Sequence, residues 1–311
     1  MALYFLNLKT FGRTNGSSSV SAAAYRSGER LRDERTGKAY DHSERQDVLH
    51  KEIILPNDFA ADDVSWAKNR GSLWNTAEGA ELRKNARVAR EYLVALPPEL
   101  SPQQRTDLVK GFSRELVERY RFAIDVAIHA PRDYPGSDPR NFHAHLLATT
   151  REVTLEGLGA KTTLEWNDER RRESGLGPAV VELFHVRERW AIAANSALEQ
   201  AHVAERIDHR TLAAQGIDRE PAPSIPRAAY EMERHGYRSF VAERLRAEHQ
   251  ARVDARLQRG AQHSPQNVAE SKNPEEIRRQ SVENWLRYRE AQAEAQAEES
   301  AKRSHKNDHS L

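Results

Sequence analysis

Three histidines, His129, His143 and His145, are the residues whose type and spacing could do chemistry in this chain. In an extended strand, alternate side chains face opposite sides. Phe142, Ala144, Leu146 and Ala148 then share one face, while His143, His145, Leu147, Thr149 and Arg151 share the other. The preceding apolar run alternates in the same way, with Phe122, Ile124, Val126 and Ile128 opposed to Asp125, Ala127 and His129. If the two strands pair across the polar loop Arg132–Arg140, all three imidazoles converge on one face. Three neutral imidazoles in a facial set hold a divalent metal and leave open positions for a substrate oxygen. The same histidines could equally be ordinary, partly exposed strand residues, and spacing alone leaves both readings open.

The elements that must position them can be traced along the chain. An apolar run, Ala2–Leu8, predicts a strand, and a Gly- and Ser-rich turn at Gly12–Ser19 supplies N-caps for a helix. That helix carries Val20, Ala23, Ala24, Ser27 and Leu31 as a small-residue stripe. Tyr25 stands about 100° from Ala24, to one side of the stripe. Lys51–Leu55 predicts a second strand, Ala60–Val88 helical segments, Arg90–Leu96 a strand, Pro98–Tyr120 a helix and Val180–Ile207 another. From about Ala213 the composition changes. Pro221, Pro223 and Pro226 mark a linker over 216–226, and Glu290–Ala301 has the look of solvated helix. The division expected is a catalytic domain over 1–215 and a charged, helical, partly disordered extension over 227–311. The fold class expected is α+β: a central antiparallel sheet with helices packed on one face.

Composition narrows the chemistry. The chain has 311 residues, 38% hydrophobic and 31% charged, with no cysteine. Thiolate sites are thereby excluded, and a transition-metal site must use His and carboxylates. No signal peptide is apparent, and no window is apolar for long enough to cross a bilayer, so no membrane insertion is expected. With 48 basic against 47 acidic residues, a global basic footprint is absent, and affinity for DNA must come from local patches. Arg13, Arg26, Arg30, Arg32 and Arg35 form one such cluster, interleaved with Glu29, Asp33 and Glu34. It is a phosphate-binding surface or a solvated face.

Taken together, IHAP at 128–131 and RNFHAHLLATTR at 140–151 resemble the metal-binding motif of the MobA/MobL mobilisation relaxases, the MOBQ group of the HUH endonucleases. SAAAYRSGERL at 21–31 is similar to the nucleophile motif of that family, and AREYLVALPPEL at 89–100 to its acidic strand. WAIAANSALEQA at 190–201 and RIDHRTLAAQGID at 206–218 extend the resemblance over about the first 235 residues. It implies Tyr25 as nucleophile and His129, His143 and His145 as metal ligands. Glu91 would be a carboxylate that orients a ligand histidine or assists the tyrosine, with Asp125 as the alternative. Many relatives carry a second acidic residue where this chain has Leu93. Arg13, Arg26 and Arg30 are the candidate DNA contacts.

The resemblance further implies Mg2+ or Mn2+ as cofactor and nicking of DNA at an origin of transfer through a 5′-phosphotyrosine adduct. The DNA would be single-stranded or a hairpin. Accessory mobilisation proteins and a type IV secretion coupling protein are the implied partners. A bacterial cytoplasmic location is implied, with passage of the protein alongside the DNA into a recipient cell. The tyrosine precedes the histidines, which favours a relaxase over a replication initiator. The rival readings are a nucleic-acid-binding protein without catalysis, a replication-initiator-type nuclease, and a metal-binding interaction protein that works through 227–311.

Overall fold

The computed structural model describes residues 3–59, 63–131 and 137–263, with Arg279 and Glu283. The expected helix over Glu290–Ala301 lies outside them, as do positions 132–136 of the loop between the histidine strands. The chain divides into two compact units, Met1–His209 and Arg210–Leu311.

In the first unit the elements run β1 Leu6–Gly12, α1 Ser19–Ser27, β2 Arg30–Arg32, β3 Ala39–Asp41, β4 Val48–Ile54, α2 Ser65–Lys68, α3 Arg70–Gly79 and β5 Arg87–Ala95. There follow α4 Pro102–Tyr120, β6 Ile124–His129, β7 His143–Ala148, β8 Arg151–Thr154, β9 Gly157–Lys161, α5 Asp168–Glu173 and α6 Ala179–Gln200. Five strands form an antiparallel sheet in the order β1-β5-β7-β6-β4, while β2–β3 and β8–β9 are separate two-stranded ribbons. β6 and β7 pair directly, with His129 opposite His143 and Ala127 opposite His145.

The expected helical layer lies against the apolar face. Ile124, Val126, Ile128, Ala144, Leu146 and Ala148 pack there with Phe112 and Leu116 of α4 and Trp190 of α6. A capping box starts α4: Ser101 accepts from the Gln104 N–H, the Gln104 side chain accepts from the Ser101 N–H, and Pro102 opens the first turn. The opposite face is covered in part. Ala22 and Ala23 of α1 and Leu73 and Trp74 of α3 pack on Ala89, Ala123 and Leu147. The alanine stripe lets α1 approach the sheet closely enough to leave the histidines beside it.

Several boundaries differ from expectation, among them the end of α6, which stops at Gln200 rather than Ile207. Of the expected Ala2–Leu8, Ala2 lies outside the described residues and Leu3–Phe5 precede the first strand, which runs over Leu6–Gly12. It is an edge strand whose extent is set by backbone pairing with β5, from Leu6 opposite Val94 onward, and not by its apolar residues. α1 stops before Leu31, which lies in β2. Gly28 closes the helix at φ +62, donating its N–H to the Ala24 carbonyl, and an added Cβ would meet Val48 Cγ2 at 3.2 Å. Within the expected Ala60–Val88 the described residues form the short helices α2 and α3, and Arg87 and Val88 already belong to β5.

Among the described residues, the second unit holds two helices, α7 Arg227–Arg234 and α8 Phe240–His263, joined by ion pairs such as Arg246–Glu233 at 2.7 Å. No helix among the described residues is long and apolar enough to cross a membrane.

Candidate active site and metal centre

The β6–β7 register brings the three histidines together. One nitrogen from each of His129, His143 and His145 lies within 4.8 Å of the others. Ring centroids are 4.7 Å apart for His129–His145 and 5.3 Å for each of the other two pairs. Each ring is anchored through its other nitrogen. His129 Nε2 donates to the Arg26 carbonyl at 2.7 Å, His143 Nδ1 to the Asn141 carbonyl at 3.0 Å, and His145 Nδ1 to Glu91 Oε1 at 2.7 Å. An imidazole that donates through one nitrogen presents a lone pair at the other, so the three anchors fix tautomers that point lone pairs at a common centre.

Burial keeps the His129 and His145 rings neutral. His129 is 1% exposed and His145 8%. Desolvation, with the cationic Arg45 and the neighbouring imidazoles nearby, pulls His129 down to about 3. Desolvation takes His145 down to about 4 in spite of the favourable Glu91 carboxylate. Neutral imidazole is the form that ligates metal, so the donor set fits a divalent cation.

Glu91 is fully buried on β5, diagonal to His145 across the ladder, and Leu93 stands directly opposite His145. Besides His145, its carboxylate accepts from Arg26 Nε and pairs with Lys9 Nζ at 2.8 Å. Burial alone would raise its pKa, but the donors on His145 and Arg26 hold it far below the usual carboxylate range. The carboxylate thus stays ionised, fixes the His145 tautomer and ties α1 to the sheet.

Tyr25 is half-buried on α1. The Arg45 guanidinium carbon lies 4.2 Å from its ring centroid, and His42 meets the ring edge-on at 5.3 Å. Arg45 also donates through Nη1 to the Tyr25 carbonyl at 2.7 Å and through Nε to Asp47 Oδ1 at 2.8 Å. Its Nη2 lies 3.4 Å from His129 Nδ1. An open cavity of about 690 Å³ adjoins them, lined by Tyr25, His42, Arg45, Gln46, Asp47, Ala130 and Pro131. The structure therefore holds, in one neighbourhood, a tyrosine, three convergent imidazoles and an open cavity.

A family model described as the MobA/MobL family matches residues 17–235. The chain belongs to the MobA/MobL family. The mobilization protein MobL of Acidithiobacillus ferridurans is 35% identical over 292 residues, which cover 85% of this chain and 75% of that protein. The 43 kDa relaxation protein of Salmonella typhimurium is 31% identical, over 71% of this chain and 57% of its own length. A solved structure described as the molecular basis of vancomycin resistance transfer in Staphylococcus aureus is 27% identical, with a TM-score of 0.53, covering 68% of this chain and 100% of the solved chain. Membership of the family makes this chain a relaxase-class mobilisation enzyme.

The residues singled out in this family member are not all at the centre. Arg26, expected at DNA phosphates, is turned inward and 7% exposed, with its Nη1 on the Ala22 carbonyl and its Nε on Glu91. A helix-surface arginine next to Tyr25 looks free in sequence; its partner, Glu91, lies on a strand of the sheet beneath. Arg13 is likewise structural. It reaches the end of α3, donating to the Glu81 carbonyl at 2.5 Å and pairing with Glu78 at 3.1 Å. Arg35 also pairs with Glu78, at 3.3 Å, so the arginine cluster is split between buried anchors and surface. Arg30 stays exposed, 3.7 Å from Asp41. Asp125, the alternative carboxylate, is engaged by Arg70 at 2.8 and 2.9 Å and by Trp74 Nε1 at 2.9 Å. It braces α3 on the sheet and does not contact an imidazole in the way Glu91 does.

Sequence reasoning misses Arg45, Asp47 and His42. They lie between β3 and β4 in a polar stretch with no periodicity, and the signal that could draw attention to them is the close charge pair Arg45–Asp47.

Proposed function

We propose that this chain is a plasmid mobilisation relaxase that nicks one DNA strand at an origin of transfer by tyrosine transesterification. The observation that carries the reading is the direct link between the three-imidazole centre and the nucleophile helix: His129 Nε2 donates to the carbonyl of Arg26, the residue after Tyr25. His129, His143 and His145 would hold a divalent metal, Mg2+ or Mn2+, and Glu91 orients His145. When bound, that ion polarises a scissile phosphate oxygen and neutralises charge building in the transition state.

The chain's own groups perform the rest. Tyr25 Oη attacks phosphorus, the bond from phosphorus to the 3′-oxygen breaks, and that oxygen takes up a proton to leave as a 3′-hydroxyl. The phenolic proton is released to solvent, and the new ester is a 5′-phosphotyrosine. One phosphate ester replaces another, so the step reverses and the same site rejoins ends after transfer. Residues 1–215 are assigned to this activity, 216–226 to a linker and 227–311 to an extension for partners. The partners of the whole chain are single-stranded or hairpin DNA at the origin of transfer, accessory mobilisation proteins and a type IV secretion coupling protein. A cytoplasmic origin with passage into the recipient cell follows from that role.

The test is a denaturing gel of supercoiled plasmid carrying the chain's own transfer region, incubated with wild type or Tyr25→Phe, with Mg2+, Mn2+ or EDTA. A protein-linked 5′ end that disappears with Tyr25→Phe and with EDTA is the expected result. Nicking that survives Tyr25→Phe moves the nucleophile elsewhere, and absence of any adduct on this DNA overturns the reading.

A further inference from the structure

Arg45 stands where the nucleophile and the imidazole centre meet. Every face of its guanidinium is used: Nη1 on the Tyr25 carbonyl at 2.7 Å, the plane over the Tyr25 ring at 4.2 Å, Nε on Asp47 Oδ1 at 2.8 Å and Nη2 on Asp47 Oδ2. The remaining approach of Nη2, 3.4 Å, is to His129 Nδ1. That nitrogen is the lone-pair side of the ring, because Nε2 donates to the Arg26 carbonyl. Asp47 is itself fixed, since its carbonyl accepts from the Ala130 N–H at 2.8 Å, next to His129 on β6. Arg45 and Asp47 are only partly exposed, at 14% and 21% of their side chains. A planar fork gripping a carboxylate on one edge and a carbonyl on another has little freedom, and a lysine could not reproduce both grips.

We infer that Arg45, clamped by Asp47, is a positioning residue that fixes the Tyr25 ring beside the three-histidine centre and at the same time weakens the hold of His129 on a metal cation. The inference rests on the relaxase reading for its catalytic half. Its metal half follows from charge: a guanidinium beside a ligand nitrogen opposes a divalent cation drawn to the same lone pair. The two halves have opposite signs. Loss of Arg45 slows nicking because the ring is no longer held, and it tightens metal binding because a competing cation has gone. A residue that merely supports the fold would lower both.

The experiment uses the full chain as wild type, Arg45→Ala, Arg45→Lys and Asp47→Asn. Thermal melting checks folding, calorimetric titration with Co2+ or Mn2+ measures metal affinity, and the plasmid-nicking gel gives the rate. Arg45→Ala is expected to nick at least about 30-fold more slowly and to bind the metal about 3- to 10-fold more tightly. Arg45→Lys keeps the charge, so its metal affinity stays near wild type while nicking remains impaired. Asp47→Asn loosens the clamp and shows a smaller loss of rate.

Weaker or unchanged metal binding by a folded Arg45→Ala overturns the inference, as does nicking at the wild-type rate. If Arg45→Ala does not fold, Arg45→Lys and Asp47→Asn decide it, and wild-type nicking by both overturns it. If wild type nicks nothing, the relaxase reading fails separately. Tighter metal binding by Arg45→Ala would still support the metal half, and any other result would reject it.

Discussion

The two faces of the β6–β7 pair use alternate residues of the same strands for opposite purposes. On one face Ile124, Val126, Ile128, Ala144, Leu146 and Ala148 meet α4 and α6, and all are at most 2% exposed. On the other, His129, His143, His145 and Asp125 face Glu91, Arg45 and Arg70. The apolar face contributes stability in proportion to area removed from water and tolerates conservative exchange. The polar face satisfies each buried group with a named partner, so one substitution there leaves a charge or donor unpaired. Adjacent positions in a two-residue period should therefore differ sharply in what their loss does.

Leu146 and His145 test that contrast most strongly. Leu146→Ala is expected to lower unfolding free energy by about 3 kcal/mol, read from denaturant melts, with metal affinity within about 3-fold of wild type. His145→Ala removes one of three ligands and should weaken metal binding by about 100-fold or more, read by calorimetry. Glu91→Gln, which removes the charge that orients His145 and pairs with Arg26 and Lys9, should cost about 10- to 100-fold. If Leu146→Ala weakened metal binding as much as His145→Ala does, the separation of faces would be lost.

That separation is legible in the amino-acid sequence. Period-two alternation puts the histidines on one face and the aliphatic residues on the other, and Ser18 falls within the turn expected to cap α1. The partners are not legible there. Arg26 and Glu91 lie 65 positions apart, and only the approach of α1 to β5 joins them. The same holds for Arg13 with Glu78 and for Asp125 with Arg70 and Trp74. Arg45 and Asp47 sit in a segment whose geometry is fixed by pairing at the start of β4 and by the Ala130 N–H, none of which leaves a pattern in the sequence. A charge pattern identifies which residues can ionise; the tertiary fold decides which are anchors and which are free.

Protonation sharpens the comparison next, because only one face titrates. In the metal-free chain His129 and His145 sit near 3 and 4, below the ordinary histidine value of about 6.5. The unfolded chain therefore binds more protons than the folded one between about 6.5 and the folded values. Stability is fully present above about pH 6.5 and declines as pH falls toward 4 and then 3. The expected loss is of the order of a few kcal/mol, measured by denaturant melts in EDTA. Replacing both histidines by Gln should flatten this slope, whereas Leu146→Ala should shift the curve down without changing its slope. A slope unchanged in the double variant would place the titrating groups elsewhere.

The smallest expected effect belongs to Arg30, and it tests whether an exposed arginine on this side of the molecule differs in kind from a buried one. Arg30 has 71% of its side chain exposed, and its contact with Asp41 at 3.7 Å is a loose surface pair. Such pairs contribute little to stability, so Arg30→Ala should move the melting temperature by no more than about 1 °C. If β2–β3 lies along the DNA, the same change should weaken binding of single-stranded DNA severalfold and lower the slope of log affinity against log salt by about one. Arg26, four residues earlier, should show the reverse: a marked loss of stability, because Glu91 is left buried without one of its donors, and a salt slope unchanged per folded molecule. If instead Arg30→Ala destabilised the fold and left the salt slope intact, the basic surface would have to be sought elsewhere than on this ribbon, and the division between anchoring and free arginines would need redrawing.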